Sequence, residues 1–184
     1  MVAKNTFPRI ETERLILRQI TNYDAEDILS YLSDYNVMKY YGMEPFSSIE
    51  DALEEISWYE SIVEKNTGIR WGITLKGQGR VIGSCGFLNI VTQHYRSEIG
   101  FELSKDYWGQ GIASEAVEAV IRYGFEQFNF QRIQALIEPL NHPSQKMVER
   151  LGFVKEGLLR NYEYTCGKFD DLLLYSLLLQ DFHD

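Results

Sequence analysis

The sequence predicts a mixed α/β (α+β) fold in one domain spanning residues 1–184, a mainly antiparallel sheet of about seven strands flanked by about four helices. Three observations carry this. Early segments read as strands joined by tight turns, later segments alternate strand with helix, and 184 residues with 45% hydrophobic content suit a single core. Nothing divides the chain: it has no Pro/Gly/Ser tract, low-complexity block or solenoid repeat.

Residues 10–20 alternate well enough for an opening strand, and Thr21 with Asp24 then offers a helix start ahead of Ile28, Leu29 and Leu32. Ser47 and Glu50 form a capping-box pattern before Ala52, Ile56, Tyr59, Ile62 and Val63, and Asn66-Thr67-Gly68 supplies a stop. Residues 71–75 and 80–90 read as strands joined at Gly77-Gln78-Gly79. Those glycines lie between two strands, with no helix to donate to a phosphate, so they mark a turn only.

Residues 96–103 alternate Ile99, Phe101 and Leu103 with Glu98, Gly100 and Glu102, a strand with a bulge expected at Gly100. Gln110 then sits between Gly109 and Gly111, where the strand gives way to a helix. Ala113, Val117, Val120, Ile121, Gly124 and Phe128 make the buried stripe of that helix, with Glu115, Glu118 and Arg122 left for water. Glycines also occur wherever a strand simply turns into a helix. Strand, glycine bend and buried helix together make a fixed anion site, because backbone N–H groups and the positive helix end both favour phosphate. A phosphorylated cofactor is the expected ligand.

Residues 132–137 read as another strand. Asn141-His142-Pro143-Ser144 then opens a short helix with Met147, Val148 and Leu151 on one side and Gly152 at its end. Residues 153–164 and 169–179 close the sheet as a strand pair, with Cys166-Gly167-Lys168 in the turn.

Composition excludes several classes. A net charge of -9 with scattered cations argues against nucleic acid. It mildly favours a cationic acceptor, although solubility explains most acidic surfaces. The start, residues 1–5, leads into no apolar segment, and no run approaches the ~20 residues that span a bilayer, so neither secretion nor a membrane is expected. Cys85 and Cys166 form no disulfide framework, which fits a cytoplasmic protein, and both are expected to be packing residues. His94, His142 and His183 are isolated, so no metal is expected. Tyr40, Tyr41, Trp58 and Tyr59 suit an acceptor groove, although packing more often explains such aromatics.

The stretch Tyr107-Trp108-Gly109-Gln110-Gly111-Ile112-Ala113-Ser114-Glu115-Ala116 resembles the acyl-CoA signature of the GNAT N-acetyltransferase superfamily. In that signature Gln or Arg, two residues, Gly, one residue, then Gly or Ala wrap the diphosphate. Gly111 and Ala113 fit, and Trp108 replaces the Gln or Arg. The variant is similar to the branch of Rim-type ribosomal-protein N-terminal acetyltransferases. Residues 13–18 (Glu-Arg-Leu-Ile-Leu-Arg), Asn141 with Ser144, Leu151-Gly152-Phe153, Glu156-Gly157 and Asp170-Asp171 with Tyr175 match in order, so the resemblance covers nearly the whole chain.

The resemblance implies acetyl-CoA as co-substrate, entering between two splayed strands, residues 98–103 and 132–137, with the acceptor arriving from the other side past the first two helices. It implies cofactor contacts from Trp108, Gly109, Gln110, Gly111, Ile112, Ala113 and Ser114, and strand-like pairing of Phe101 and Leu103 with pantetheine. Asn141 would bond pantetheine or hold its loop, unless it is only a turn residue before Pro143. Glu163 is the implied base and Ser144 the implied acid, with a helix cap the plain alternative for Ser144. Glu98 is the rival base. Val148 stands where many relatives carry a tyrosine acid.

The chemistry asks little of these groups. An α-amine of pKa ~8, against ~10.4 for lysine, needs one carboxylate, and a thiol of pKa ~8.5 leaves readily. The expected activity is transfer of acetyl to a primary amine by direct attack in a ternary complex. A protein N-terminal α-amino group is expected first and a small amine, polyamine or aminoglycoside, second. A non-catalytic coenzyme A-binding module is the alternative class, and the chain is expected as monomer or homodimer.

Overall fold

The computed structural model describes residues 7–182, so residues 1–5 and His183 lie outside it. Eight strands form one sheet in the order β1-β2-β3-β4-β5-β6-β8-β7. They are β1 Ile10–Glu11, β2 Leu15–Arg18, β3 Ile69–Leu75, β4 Val81–Val91, β5 Arg96–Leu103, β6 Arg132–Ile137, β7 Val154–Thr165 and β8 Lys168–Leu178. The helices are α1 Ala25–Leu32, α2 Tyr35–Met38, α3 Ile49–Glu64, α4 Ile112–Gln127 and α5 His142–Arg150. Every neighbouring pair runs antiparallel except β5 with β6. No helix among the described residues is long and apolar enough to cross a membrane.

Strand alternation sends successive residues to opposite faces. In β3, Ile69, Trp71 and Ile73 join a core under α4 and α5 that includes Phe87, Val120, Ile121 and Val148. On the other face Gly72 approaches so closely that an added Cβ would stand 2.8 Å from Ile20 of the second core. That second core gathers Ile28, Leu32, Met38 and Ile56 of α1–α3.

The parallel pair positions the site. β5 and β6 are joined only through Arg96/Arg132, Ser97/Ile133 and Glu98/Gln134. β5 then runs on to Leu103 and β6 to Ile137 without pairing to each other, which is the expected splay.

Several details differ from expectation. The opening strand is broken into β1 and β2, because Thr12 closes a turn through its amide onto the Leu15 carbonyl (3.1 Å) and its hydroxyl from the Leu15 amide (2.9 Å). That break gives eight strands instead of seven. The fifth helix is the four-residue α2, capped by Asp34. Thr21 and Asp24 close a 3-10 turn, and α1 starts after it. The cap of α3 is Ser48 with Asp51, one residue beyond Ser47 and Glu50. Phe128 lies beyond the last turn of α4 as its C-cap.

Gly100 carries no bulge, since it pairs in register with Gly86. Its missing side chain makes room for Arg70, whose Nη1 would be 3.0 Å from a Cβ there. Irregularities fall instead at Ile73/Thr74, at Leu88–Val91 and in β7, where three residues, 160 to 162, stand opposite Asp171 alone. The final turn is Cys166-Gly167, with φ of 47° and 80°, and Lys168 already belongs to β8. Cys85 is buried, whereas Cys166 is exposed on that turn and is not a core residue.

Candidate active site

The bend after β5 is pinned from several directions. Trp108 donates its indole N–H to the Leu103 carbonyl at 2.8 Å, and the Gln110 side chain folds back onto the Asp106 carbonyl at 3.0 Å. Gly109 and Gly111 hold φ of 74° and 75°, a left-handed conformation that side chains disfavour. Gly111 is the N-cap of α4, so no side chain caps the first N–H groups of that helix. Ile112, Ala113 and Ser114 therefore begin the helix with donors left for a ligand.

These residues open onto a cavity of about 600 Å³. Its walls include Phe101 and Leu103 of β5, Trp108, Gly109 and Gly111 of the bend, and the start of α4. Asn141 completes it. Uncapped helix donors, an approach free of side chains and that volume suit a diphosphate with a slender tether. Gln110 is the exception among the ten expected cofactor residues: its side chain is turned away to Asp106, and it does not line the cavity.

A second cavity of about 520 Å³ opens beyond the splay. It shares Tyr40, Tyr41, Phe101, Asn141 and Ser144 with the first, so the two cavities meet at these residues. Glu98, Glu138 and Glu163 line it with Glu55 and Asp170. The one arginine in its wall, Arg70, is bound by Glu102, which is itself bonded by Ser84. Asp170 is held by Lys168 at 2.6 Å and Thr165 at 2.5 Å, which keep its carboxyl below the usual range. Trp58 also lines the cavity, but Tyr59 is buried in the second core.

The two candidate bases differ in their partners. Glu98 accepts from Gln134 Nε2 and Asn89 Nδ2, both at 3.0 Å, so each carboxylate oxygen is engaged. Glu163 accepts no hydrogen bond from the described residues. Partial desolvation, then the negative charges of Glu98 and Asp170, raise its pKa above the ordinary value. Glu138 is raised as well, first by desolvation and then by Asp170.

Ser144 does not cap α5. The cap is Asn141, whose side-chain oxygen accepts from the Ser144 amide at 3.3 Å. The Ser144 hydroxyl is thus left at the junction of the two cavities, without a bond to the described residues. Val148, one turn on, is fully buried in the core.

A family model described as an acetyltransferase (GNAT) domain matches residues 14–154. The chain belongs to the GNAT acetyltransferase family. It is 41% identical over 172 residues to the uncharacterized N-acetyltransferase YoaA of Bacillus subtilis (strain 168), covering 94% of this chain and 97% of that one. It is 25% identical over 182 residues to the [ribosomal protein uS5]-alanine N-acetyltransferase of Escherichia coli (strain K12), covering 94% and 92%. The crystal structure of a GNAT-family acetyltransferase from Bacillus anthracis superposes with a TM-score of 0.81 at 28% identity, covering 93% of this chain and 98% of that one. As a GNAT acetyltransferase the chain is an acyltransferase enzyme of a family that uses acetyl-CoA, and the non-catalytic alternative gives way.

In this GNAT domain one three-residue cluster escaped the sequence. Glu115, expected to face water, accepts from Thr12 and from Arg14. Those partners are 103 and 101 residues away, so no local pattern reveals them.

Proposed function

We propose that the chain is a cytoplasmic enzyme that acetylates a protein N-terminal α-amino group, a ribosomal-protein-like acceptor, by direct attack within a ternary complex. When bound, acetyl-CoA supplies the acetyl group as a thioester. The diphosphate lies at the Gly109–Gly111 bend and the start of α4, with Phe101 and Leu103 along the tether. The single observation that carries the reading is the pairing of a carboxylate-walled cavity with an uncapped helix start, meeting across the mouth of the splay.

Glu163 takes the proton of the incoming ammonium, and the neutral nitrogen then forms the new C–N bond as the C–S bond breaks. Its raised proton affinity and free oxygens suit that role better than the doubly bonded Glu98. Ser144, between the two cavities, donates its proton to the departing sulfur and is reprotonated by the second proton that the nitrogen sheds as it becomes an amide. The N-terminal acceptor is supported by the uS5-alanine relative and by the low basicity of an α-amine, which one carboxylate can deprotonate.

The acidic wall also favours a small polyamine or aminoglycoside, the second reading. Thiol release measured with free N-terminal peptides, N-blocked lysine peptides and polyamines, with products weighed by mass spectrometry, separates the two. Acetylation of the free N-terminal peptides is expected. Turnover restricted to polyamines contradicts the first reading.

A further inference from the structure

We propose that Arg14 is a positioning residue for the donor diphosphate. The inference rests on the assignment of the glycine bend to that diphosphate. Glu115 stands in the first turn of α4, where a carboxylate shares the positive helix end with any anion that docks there. Left alone, it would repel a phosphate.

Arg14 cancels that charge through Nε, 2.6 Å from Glu115 Oε2, while its backbone amide reaches Oε1 at 2.9 Å. Thr12 adds a bond to Oε1 at 2.5 Å. Partial burial pushes the Glu115 carboxyl up, but the bonds from Thr12 and Arg14 together outweigh it and hold the pKa below the ordinary value. The same guanidinium donates through Nη1 to the Gln110 carbonyl at 2.9 Å.

That carbonyl shares a planar peptide with the Gly111 amide, and no cis peptide bond occurs among the described residues. In a trans peptide the C=O and N–H point in opposite directions. Holding the Gln110 carbonyl on Arg14 therefore turns the Gly111 N–H the other way. Gly111 lines the donor cavity and Arg14 does not, so the amide is turned to the side where the anion enters. Charge cancellation and peptide orientation thus come from one side chain outside the cavity.

The test is calorimetric titration with coenzyme A together with steady-state kinetics on the full chain. Arg14→Ala is expected to weaken coenzyme A about tenfold and to raise KM for acetyl-CoA equally, with kcat at saturating donor and KM for the amine unchanged. S-acetyl-pantetheine, which lacks the diphosphate, should be used equally well by variant and wild type. Adding Glu115→Gln to Arg14→Ala should restore most of the lost affinity, because the uncancelled charge is gone while the Gln oxygen still accepts from Thr12. Should Arg14→Ala fail to fold, the neutral Arg14→Gln serves instead, with the same sense of loss and recovery, since it keeps most of the stem but carries no charge to cancel Glu115.

An equal loss with S-acetyl-pantetheine, a loss confined to kcat, or no recovery in the double variant overturns the inference. Wild-type protein that binds no coenzyme A sinks the bend assignment itself. Binding that Arg14→Ala leaves intact sinks the role of Arg14 alone.

Discussion

Glu163 and Glu98 face one cavity, yet their different partners give them different chemistry. Amide donors from two other strands occupy both oxygens of Glu98, whereas desolvation and neighbouring negative charge make Glu163 hold its proton more tightly. A base works only when deprotonated, so activity should fall as pH drops through the Glu163 pKa, which desolvation and neighbouring charge raise from its ordinary value. Glu163→Gln is expected to lower kcat about 10²-fold at neutral pH and to erase that acid limb. Thiol-release kinetics across the acidic and neutral range check both, and unchanged turnover would move the role to Glu98 or water. Neither distinction was legible in the sequence, which offered both glutamates. Asn89 and Gln134 come from other strands, and nothing local links them to Glu98.

At the level of elements, Arg70 of β3, Ser84 of β4 and Glu102 of β5 tie three strands together beneath the acceptor cavity. Arg70 and Glu102 are 3% and 6% exposed, so removing one partner strands the other charge in the interior. Arg70→Met should cost about 3–5 kcal/mol in chemical denaturation, and Arg70→Met with Glu102→Met should recover much of it. At the far edge Glu156 of β7 reaches across β8 to Arg132 of β6, with bonds of 2.7 and 2.6 Å, and accepts from Ser176 at 2.7 Å. The Arg132 bonds, then Ser176, lower its pKa from 4.5 to about 2. A lowered folded pKa stabilises the fold above the unfolded value, so this contribution is complete above 4.5 and disappears as pH falls through about 2. The stability gap between wild type and Glu156→Gln should therefore close over that window in pH-dependent unfolding. The β5–bend–α4 unit was readable because its pattern is continuous along the chain. The β1/β2 break, the four-residue α2 and the β7 irregularity were not. They depend on the Thr12 turn, on Asp34 and on the Asn161 amide bonded to Asp171 at 2.7 Å, and such contacts leave little periodic trace.

Across the whole molecule, one parallel pairing in an otherwise antiparallel sheet opens the gap between the two cavities. Three paired positions hold β5 and β6 together, and their divergence leaves an opening with an uncapped helix start on one side and a carboxylate wall on the other. Sequence order conveyed the splay through resemblance, since periodicity alone says nothing about where two strands part. Gly100 shows the limit of local reading: its glycine suggested a bulge, but it makes room for an arginine from β3, two strands away. The most direct measurement is amide hydrogen exchange with and without acetyl-CoA. Protection should concentrate at Gly109, Gly111 and residues 112–114, with a second, weaker effect along β5 at Phe101 and Leu103. Saturating donor that leaves those amides unprotected, or protects a different surface, would contradict a diphosphate held at the glycine bend.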